Sequence, residues 1–448
     1  MLLYRRLLRS VLLPGYDRFR SRRYVERSRF LEASQWWEPG QLLEFQWAAL
    51  RKLLRHAFQS VPYYQWKYRA AGACFSDIRN WDDFKRLPLL TRDEIRRHRE
   101  QLCSTSYKGR LLPHATGGSS GVPTRFYRTR ESYDWRTAAR DRVYSWSGLH
   151  VGDKSVYLWG APVGAFPKYK IWKTRLHEAL LRQWTFNTFS QTDELWSRIH
   201  ADICRIRPAS IVGYVSSLKE FANFLGRSRR SIPRVIGVIA AAEPLIEDAR
   251  LDIEQAFEAP VYNTYGSREF MSLAGECEYC DGLHINTENV VLEAGRQIDE
   301  PSKIIVTDLH NYGMPFIRYE TGDLGNLKDG PCACGRGLPR LSRIEGRVLD
   351  ALRGADGRIV PGEFFPHLLK EIPEVARYRV EQKDLDRIVI SAVMTRELSR
   401  SSRELLDSEI RKAFGAAARY DIEPVEEIPV LASGKRQITV AMQSDSGK

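Results

Sequence analysis

The sequence predicts an α/β protein with a large N-terminal domain built on largely parallel sheets and a small α+β domain at the C-terminus. Apolar runs alternate with helical stretches as far as residue 307, and from about residue 350 short strands surround two helices. The length agrees, because 448 residues exceed what one hydrophobic core usually serves. We place the boundary after residue 346, which gives domains of 1–346, with a basic helical extension over 1–30, and 347–448.

The elements of the large domain follow from periodicity and capping signals. Helical spacing of apolar residues predicts a helix from about Leu42 to Pro62, and a capping box of Thr91 and Glu94 predicts the start of another. Residues 131–147 and Ala249–Phe257 have helical patterns. The predicted strands are Ser155–Gly160, Ser210–Val212, Val235–Ala240, Pro260–Asn263 and Lys303–Thr307.

The small domain is predicted from two helices and three strand-like runs. The helices are expected over Pro361–Lys370 and Arg403–Phe414. The strands are expected over Tyr378–Glu381, Arg387–Met394 and Ile428–Leu431.

Composition excludes several classes of protein. With 43% hydrophobic and 28% charged residues the chain can bury a full core, so we expect no disorder on the scale of a domain. Seven cysteines in a chain of this length, with no signal-peptide pattern, favour a reducing cytoplasm. No apolar run approaches the roughly 20 residues that span a bilayer.

The formal charge of +13 is concentrated near the N-terminus. Residues 1–30 hold nine arginines against Asp17 and Glu26, and Leu3, Leu7 and Val11 recur at helical spacing among them. This pattern is typical of a basic amphipathic helix, either peripheral at an anionic inner membrane surface or docked on the protein's own body, and we favour docking. Nucleic acid is not an expected partner, since no recognition module accompanies the charge.

A loop rich in glycine and hydroxyl side chains is the strongest local signal. Glycine permits positive dihedral angles that turn successive amides toward one centre, and Ser and Thr add short donors, so the loop suits a polyanion such as a phosphate chain. It lacks the Gly-Lys-Ser/Thr ending of P-loop ATPases and the glycine spacing of dinucleotide folds. The loop reads Thr116, Gly117, Gly118, Ser119, Ser120, Gly121, Val122, Pro123, Thr124.

Four further short motifs follow this loop in a fixed order. They are Tyr265-Gly266-Ser267-Arg268-Glu269, Tyr319-Glu320-Thr321-Gly322-Asp323, Glu345-Gly346-Arg347-Val348-Leu349-Asp350 and Ser433-Gly434-Lys435-Arg436. Over nearly the whole chain, this order resembles the adenylate-forming superfamily of acyl-CoA synthetases and ligases. The nearest branch is the phenylacetate-CoA ligase-like group, which includes capsular-polysaccharide-cluster proteins.

The resemblance implies roles for the first motifs. It assigns the loop to the β- and γ-phosphates of ATP, although Val122 stands where many relatives have a lysine, with Arg125 as the substitute cation or none. Tyr265, with Gly266 and Ser267, would border the adenine, and Glu269 would bind Mg²⁺. The stretch Ala242, Glu243, Pro244 matches the one that lines the adenine pocket in relatives.

The later motifs would complete the catalytic set. Asp323 would hold the ribose hydroxyls, since one carboxylate can accept from both. Arg347 would reach the ribose or the α-phosphate, and its segment would be the hinge on which a mobile small domain rotates. Lys435 would stabilise the adenylation transition state and then leave with that domain. Leu349 stands where relatives often have the hinge aspartate, which is a departure from the pattern.

The acid pocket is expected around the segment 212–218, which resembles the acyl-site segment of this branch. Its candidate substrate residues are Gly213, Tyr214 and Ser216. Aromatic residues near Trp159 and Phe166 either favour an aryl or planar acid or belong to the core.

Two groups of soft ligands predict a structural zinc site. Cys277, Cys280 and His284 form the first group, and Cys332 and Cys334 follow some 50 residues later. Tetrahedral zinc needs four ligands. The phenylacetate-CoA ligase-like branch has a similar pattern of Cys, Gly-x-His and Cys-x-Cys-Gly, and this resemblance favours Cys277, His284, Cys332 and Cys334 over Cys280.

The sequence therefore predicts an ATP- and Mg²⁺-dependent enzyme that adenylates a carboxylic acid and transfers the acyl group, with coenzyme A as the first choice of acceptor. One alternative is amide or ester formation on an amine, a sugar or a carrier protein. The other is a non-catalytic adenylate-fold protein that binds nucleotide or acts as a scaffold in polysaccharide assembly, which the departures Val122 and Leu349 would favour.

Overall fold

The computed structural model describes most of the chain. The described residues are 2–115, 124–160, 168–296, 302–345, 352–354, 356–360, 362, 364–369, 371–428 and 439–440. Several predicted site residues lie outside these ranges, and so does most of the strand expected over Ile428–Leu431. These site residues are Thr116, Gly117, Gly118, Ser119, Ser120, Gly121, Val122, Phe166, Arg347, Leu349 and Lys435.

The described chain contains the following helices, numbered in chain order. They are α1 Leu2–Leu7, α2 Leu13–Arg20, α3 Tyr24–Ser34, α4 Pro39–Ser60, α5 Pro62–Ala70, α6 Trp81–Lys85, α7 Arg92–Arg97, α8 Arg130–Trp146, α9 Lys168–Leu181, α10 Asp193–Ile206, α11 Val215–Ser228, α12 Glu247–Phe257, α13 Phe364–Leu369 and α14 Arg400–Phe414. A π-helical segment, Leu8–Leu12, joins α1 to α2, and 3₁₀ turns occupy Phe75–Asp77 and Thr105–Tyr107.

The strands are short, as is usual in globular domains. They are β1 Leu112–Ala115, β2 Arg125–Arg128, β3 Ser155–Trp159, β4 Gln183–Asn187, β5 Ser210–Tyr214, β6 Gly237–Ala241, β7 Val261–Ser267, β8 Met271–Glu276, β9 Leu283–Ile285, β10 Val290–Glu293, β11 Ser302–Asp308, β12 Tyr319–Lys328, β13 Arg340–Glu345, β14 Leu352–Arg353, β15 Ile359–Val360, β16 Val375–Asp384, β17 Arg387–Met394, β18 Arg419–Pro424 and β19 Thr439–Val440.

The chain divides into two compact units. Unit 1 consists of Met1–Ala115, Thr124–Val151 and Tyr262–Gly346. Its main strands are ordered β10-β11-β12-β13-β9-β8-β7, and each neighbouring pair is antiparallel. Helix α4 contributes Leu50, Leu53, Leu54 and Ala57 to the core of this unit, at the spacing of a single helix face.

Unit 2 joins Gly152–Val261 to Arg347–Lys448. Its first part is a parallel sheet in the order β6-β5-β3-β4, whose crossovers are α9, α10 and α11. Its second part is a sheet in the order β18-β17-β16-β19 with α13 and α14. One hydrophobic cluster includes Phe189 from the first part and Phe364 from the second, with ring centroids 5.6 Å apart.

The predicted α/β class is confirmed, and so are most of the predicted elements, usually to within three residues. Among the named strands that the structure describes, however, the parallel pairs occur in unit 2, and each neighbouring pair in the main sheet of unit 1 is antiparallel. Antiparallel neighbours can be joined by a short connection, as β7, β8 and β9 are, whereas a parallel pair needs a crossover such as a helix. The boundary between residues 346 and 347 stays a prediction about which parts move as domains.

The N-terminal extension is helical, as predicted. Leu8 is fully buried, and Arg22 donates from Nε to Asp134 Oδ1 of α8 at 2.7 Å, so the extension is anchored on the body of unit 1. Among the residues that the structure describes, no helix has the length and apolar character needed to cross a membrane.

Candidate functional site

Glu269 is buried just beyond the end of β7, and its position depends on a tight hairpin. The carboxylate is only 5% exposed, and Tyr319 donates its hydroxyl to Oε1 at 3.2 Å. Gly266 makes this turn possible, because a Cβ there would lie 1.8 Å from the carbonyl oxygen of Met271. The Tyr-Gly-Ser-Arg-Glu motif is thus a β7–β8 hairpin that carries a carboxylate into the interior of unit 1.

Asp323 lies on β12 and is hydrogen-bonded to the first residue of the same motif. Tyr265 donates its hydroxyl to Asp323 Oδ2 at 2.9 Å, and Asp323 N donates to Thr321 Oγ1 at 3.1 Å. Burial and the neighbouring carboxylate raise the pKa of Tyr265 well above its ordinary value. The phenol therefore stays protonated as a donor, and the two motifs, some 58 positions apart, form one site.

Arg92 is a site residue that the sequence analysis missed. It lies at the start of α7 and donates from Nε to the Tyr319 hydroxyl at 3.2 Å and from Nη2 to the Thr321 carbonyl at 3.1 Å. Its Nη2 is also 4.0 Å from Glu269 Oε1. Burial opposes the charged guanidinium, but Tyr319 and Glu269 outweigh it, and the pKa of Arg92 is raised.

Strand pairing brings Arg92 to this site from far away in the sequence. Leu90 N donates to Arg318 O at 2.9 Å, and Glu320 N donates to Leu90 O at 3.0 Å, so the residues before α7 run parallel to the start of β12. The capping box correctly predicted the start of this helix, since Thr91 caps it and Glu94 completes the box. Nothing in the local pattern distinguished Arg92 from the other arginines of the helix.

In unit 2, Glu243 caps the helix that carries Ser216, one of the predicted acid-pocket residues. Ser216 donates to it from N at 2.6 Å and from Oγ at 2.9 Å, at the N-terminus of α11. Burial raises the pKa of Glu243, although both bonds from Ser216 act in the opposite direction. Ala242, beside it, has a φ of +67°, which is unusual for a residue with a side chain, and both it and Pro244 are exposed.

Tyr214 and Gly213 end β5 directly before this helix. The Tyr214 ring is buried against Trp159, with ring centroids 4.3 Å apart. A Cβ at Gly213 would lie 3.0 Å from Leu218 Cγ and 3.1 Å from the Leu158 carbonyl, so a larger residue would make tight contacts here. Thr124, the described end of the glycine-rich loop in unit 1, is fully buried.

A second constellation in unit 1 contains the four predicted metal ligands. Cys277, His284, Cys332 and Cys334 place one ligand atom each within 4.8 Å of one another. The Sγ atoms of Cys277 and Cys332 are 3.7 Å apart, and Cys334 Sγ is 3.3 Å from His284 Nε2. Cys280 is exposed and does not belong to this group.

The surroundings orient this cluster and shift the pKa values of three of its four residues. The other ring nitrogen of His284, Nδ1, lies 3.3 Å from the Leu338 carbonyl, which leaves Nε2 directed at the thiols. Burial raises the pKa of Cys277 to about 12 and lowers that of His284 to about 4. Burial also opposes ionisation of Cys334, but the N–H groups of Arg336 outweigh it, so the pKa of Cys334 is lowered.

The metal-ligand loop also packs on the chain between α3 and α4. Arg336 donates from Nε to Gln35 Oε1 at 3.2 Å, and Gly337 N donates to the Gln35 carbonyl at 3.1 Å. A Cβ at Gly337 would lie 1.9 Å from the Trp37 carbonyl. The cluster therefore joins three segments of unit 1 that are distant in sequence.

Comparison with known proteins gives consistent matches. Residues 352–441 match the family model of the CapK C-terminal domain. Protein CapK of Staphylococcus aureus is 24% identical over 364 residues, which is 80% of each chain. The phenylacetate-coenzyme A ligase of Escherichia coli K12 is 25% identical over 74% of this chain and 76% of its own.

Solved structures share the fold. A 2-hydroxyisobutyryl-CoA ligase in complex with 2-HIB-AMP and CoA, in the thioesterification state, matches with a TM-score of 0.59 and 20% identity, over 90% of each chain. The same ligase in the postadenylation state matches with a TM-score of 0.55, over 88% of each chain.

Proposed function

Because the chain belongs to the phenylacetate-CoA ligase-like branch of the adenylate-forming enzymes, the branch that includes CapK, we propose that it activates a carboxylic acid with ATP and Mg²⁺ and transfers the acyl group to coenzyme A. The observation that carries this proposal is the buried group of Glu269, Tyr319 and Arg92 beside the Tyr265–Asp323 pair. Two carboxylates held this way, one beside a cation, suit a nucleotide with its metal better than they suit a protein core.

Glu269 is the residue that would hold the magnesium ion. Mg²⁺ favours one or two carboxylates together with phosphate oxygens, and its charge would offset the negative charge of the phosphates. The Tyr319 hydroxyl fixes the orientation of the carboxylate through Oε1, and Arg92 balances its charge at 4.0 Å. Asp323 would accept hydrogen bonds from the ribose hydroxyls, and Tyr265 would orient that carboxylate.

The remaining roles rest on the family resemblance. The phosphate loop from Thr116 to Thr124 would hold the departing pyrophosphate, and Lys435 and Arg347 would stabilise charge at the α-phosphate. In unit 2, the residues around Gly213 and Tyr214 would border the acid. The Trp159–Tyr214 pair favours a flat acid, because an aromatic ring stacks well against such a pair.

We propose that Cys277, His284, Cys332 and Cys334 bind one structural zinc ion. Three of the four residues are buried, and the donor set of three sulfurs and one nitrogen is typical of closed sites without an open coordination position. Zinc would displace the thiol protons that burial retains and would cross-link the two ligand loops.

A different acceptor is the main alternative. The match of residues 352–441 to the CapK C-terminal domain favours it, because in this superfamily the small domain takes part in the transfer step. An amine, a sugar hydroxyl or a carrier-protein thiol would then replace coenzyme A. A purely scaffolding role is less consistent with the buried pairing of Glu269 and Arg92.

Release of pyrophosphate that depends on an added acid is the decisive measurement. Purified protein is incubated with ATP and Mg²⁺ and a library of aryl and alkyl carboxylates, and the active acid is then offered coenzyme A, amines and sugars. We expect release with at least one acid and thioester formation with coenzyme A. Release of pyrophosphate followed by an amide or ester product would show that the acceptor is an amine or a hydroxyl and not coenzyme A. Absence of pyrophosphate release across the library would favour the non-catalytic scaffold role.

A further inference from the structure

The N-terminal helical segment, Leu2–Arg20, presents apolar residues on two different faces, an inner and an outer one, about 100° apart around the helix axis. Its π-helical turn is marked by the bond from Leu13 N to Leu8 O, a step of five residues. On the inner face, Leu8 is fully buried, Leu13 packs against the core around Trp135, and Asp17 accepts from Val25 N at 2.8 Å. These positions are separated by five and four residues, so the π turn keeps them on one side.

The outer face follows the same spacing. Its apolar residues are Leu3, Leu7, Leu12, Tyr16 and Phe19, separated by four, five, four and three positions, and the step of five again falls on the π turn. In a regular α-helix a step of five would rotate a residue by roughly 140° out of line. The turn therefore aligns one continuous outer stripe, made of these five residues.

This outer stripe is open to solvent. Leu3 is 83% exposed, Phe19 82% and Leu7 47%. Single exposed apolar residues are common on protein surfaces, but five in line along one helix mark an interaction surface.

The charge around the outer stripe indicates the chemistry of its partner. Arg6, Arg18 and Arg20 are exposed on the same segment, while its acidic residue, Asp17, is buried and bound to Val25 N. An apolar stripe bordered by arginines fits the boundary between lipid headgroups and acyl chains of an anionic bilayer. A second copy of this chain fits less well, because a two-fold contact through the stripe would oppose its arginines to one another.

We propose that the outer stripe lies in the plane of an anionic membrane surface and holds the enzyme there peripherally. The inner face stays docked on unit 1 through Leu8 and Asp17, so binding requires no unfolding of the segment. The apolar side chains would enter the headgroup region, and the arginines would contact lipid phosphates.

The test uses the full-length protein and vesicles of phosphatidylcholine with or without phosphatidylglycerol. We expect co-sedimentation with the anionic vesicles at low salt, release at high salt and little binding to neutral vesicles. Leu3→Gln with Phe19→Gln is expected to weaken binding about tenfold or more. Arg18→Gln and Arg20→Gln are expected to weaken it about fivefold each.

Matched controls lie on the surface of unit 2. Leu251→Gln removes an exposed leucine from α12, and Arg198→Gln removes an exposed arginine from α10. Both are expected to bind like wild type, and thermal unfolding and pyrophosphate release are expected to be unchanged in all variants. Failure of the wild type to bind anionic vesicles at low salt, or equal losses in the controls, would overturn the proposal. If the wild type self-associates and the Leu3→Gln, Phe19→Gln double variant does not, the partner of the outer stripe is a second copy of this chain and not a membrane.

Discussion

Replacing Cys334 with Ser is the most informative test of the metal cluster. Cys277 and Cys332, one from each ligand group, are about 55 positions apart, so a metal bound by both groups closes a loop of that length. For a covalent cross-link of such a loop the chain-entropy relation gives about 4 kcal/mol at 25 °C. We expect Cys334→Ser to lose the zinc and a comparable part of the free energy of unfolding of unit 1.

The expected shift in melting temperature is large enough to measure. For a unit of this size each kcal/mol moves the midpoint by about 2–4 °C, so the loss corresponds to about 8–16 °C. Cys280→Ser is the matched control, because Cys280 lies only three residues from Cys277 but is exposed and outside the cluster. It is expected to keep the metal and to melt within about 2 °C of wild type.

The assay is elemental analysis of the purified proteins together with calorimetry. Wild type and Cys280→Ser are expected to contain about one zinc per chain and Cys334→Ser much less. Pyrophosphate release at low temperature is expected to survive better than stability, since the cluster joins its two ligand groups to each other, whereas Glu269 and Asp323 are held by hydrogen bonds from Tyr319 and Tyr265. A metal-free wild type of normal stability, or zinc loss in Cys280→Ser equal to that in Cys334→Ser, would refute the assignment.

Three further predictions concern the candidate active site and its support. Arg92→Met is expected to slow acid-dependent pyrophosphate release about tenfold or more and to change its Mg²⁺ dependence. The control Arg97→Met, which removes an exposed arginine of the same helix, is expected to leave both unchanged, and equal effects of the two substitutions would show that Arg92 does not belong to the site. Lys435→Ala is expected to slow adenylation by about 10² while sparing transfer from a supplied acyl adenylate, and unchanged pyrophosphate release would contradict its role. Burial opposes ionisation of Glu94, but the hydrogen bond from Lys67 outweighs burial and lowers the pKa of Glu94 to about 2. The ionised carboxylate therefore adds about 1–3 kcal/mol to the free energy of unfolding above pH 4.5, and this contribution is lost as the pH falls toward 2. Glu94→Gln is therefore expected to melt lower at pH 7 and to converge with wild type near pH 2; a constant difference would contradict this.

Sequence reasoning was most successful where the signal is local. The capping box at Thr91 and Glu94, the periodicity of α4 and the alternation of strands with helices all depend on neighbours within a few positions. The order of short motifs was enough to indicate the family resemblance, because each motif carries its own chemistry. Strand direction in unit 1 was predicted less well, since it depends on which strands pair and not on the strands themselves.

The sequence by itself determined the α/β class, the family resemblance and the two groups of soft ligands. Only the tertiary structure decided that Cys280 is exposed while Cys334 meets His284, and that Arg92 lies against Glu269, some 177 positions away. It also decided that the Glu243 carboxylate caps α11 by accepting a hydrogen bond from Ser216 N. The physical reason is that side-chain type and periodicity are local properties, whereas burial, charge pairing and metal geometry arise when sheet pairing brings distant segments within a few ångströms of each other.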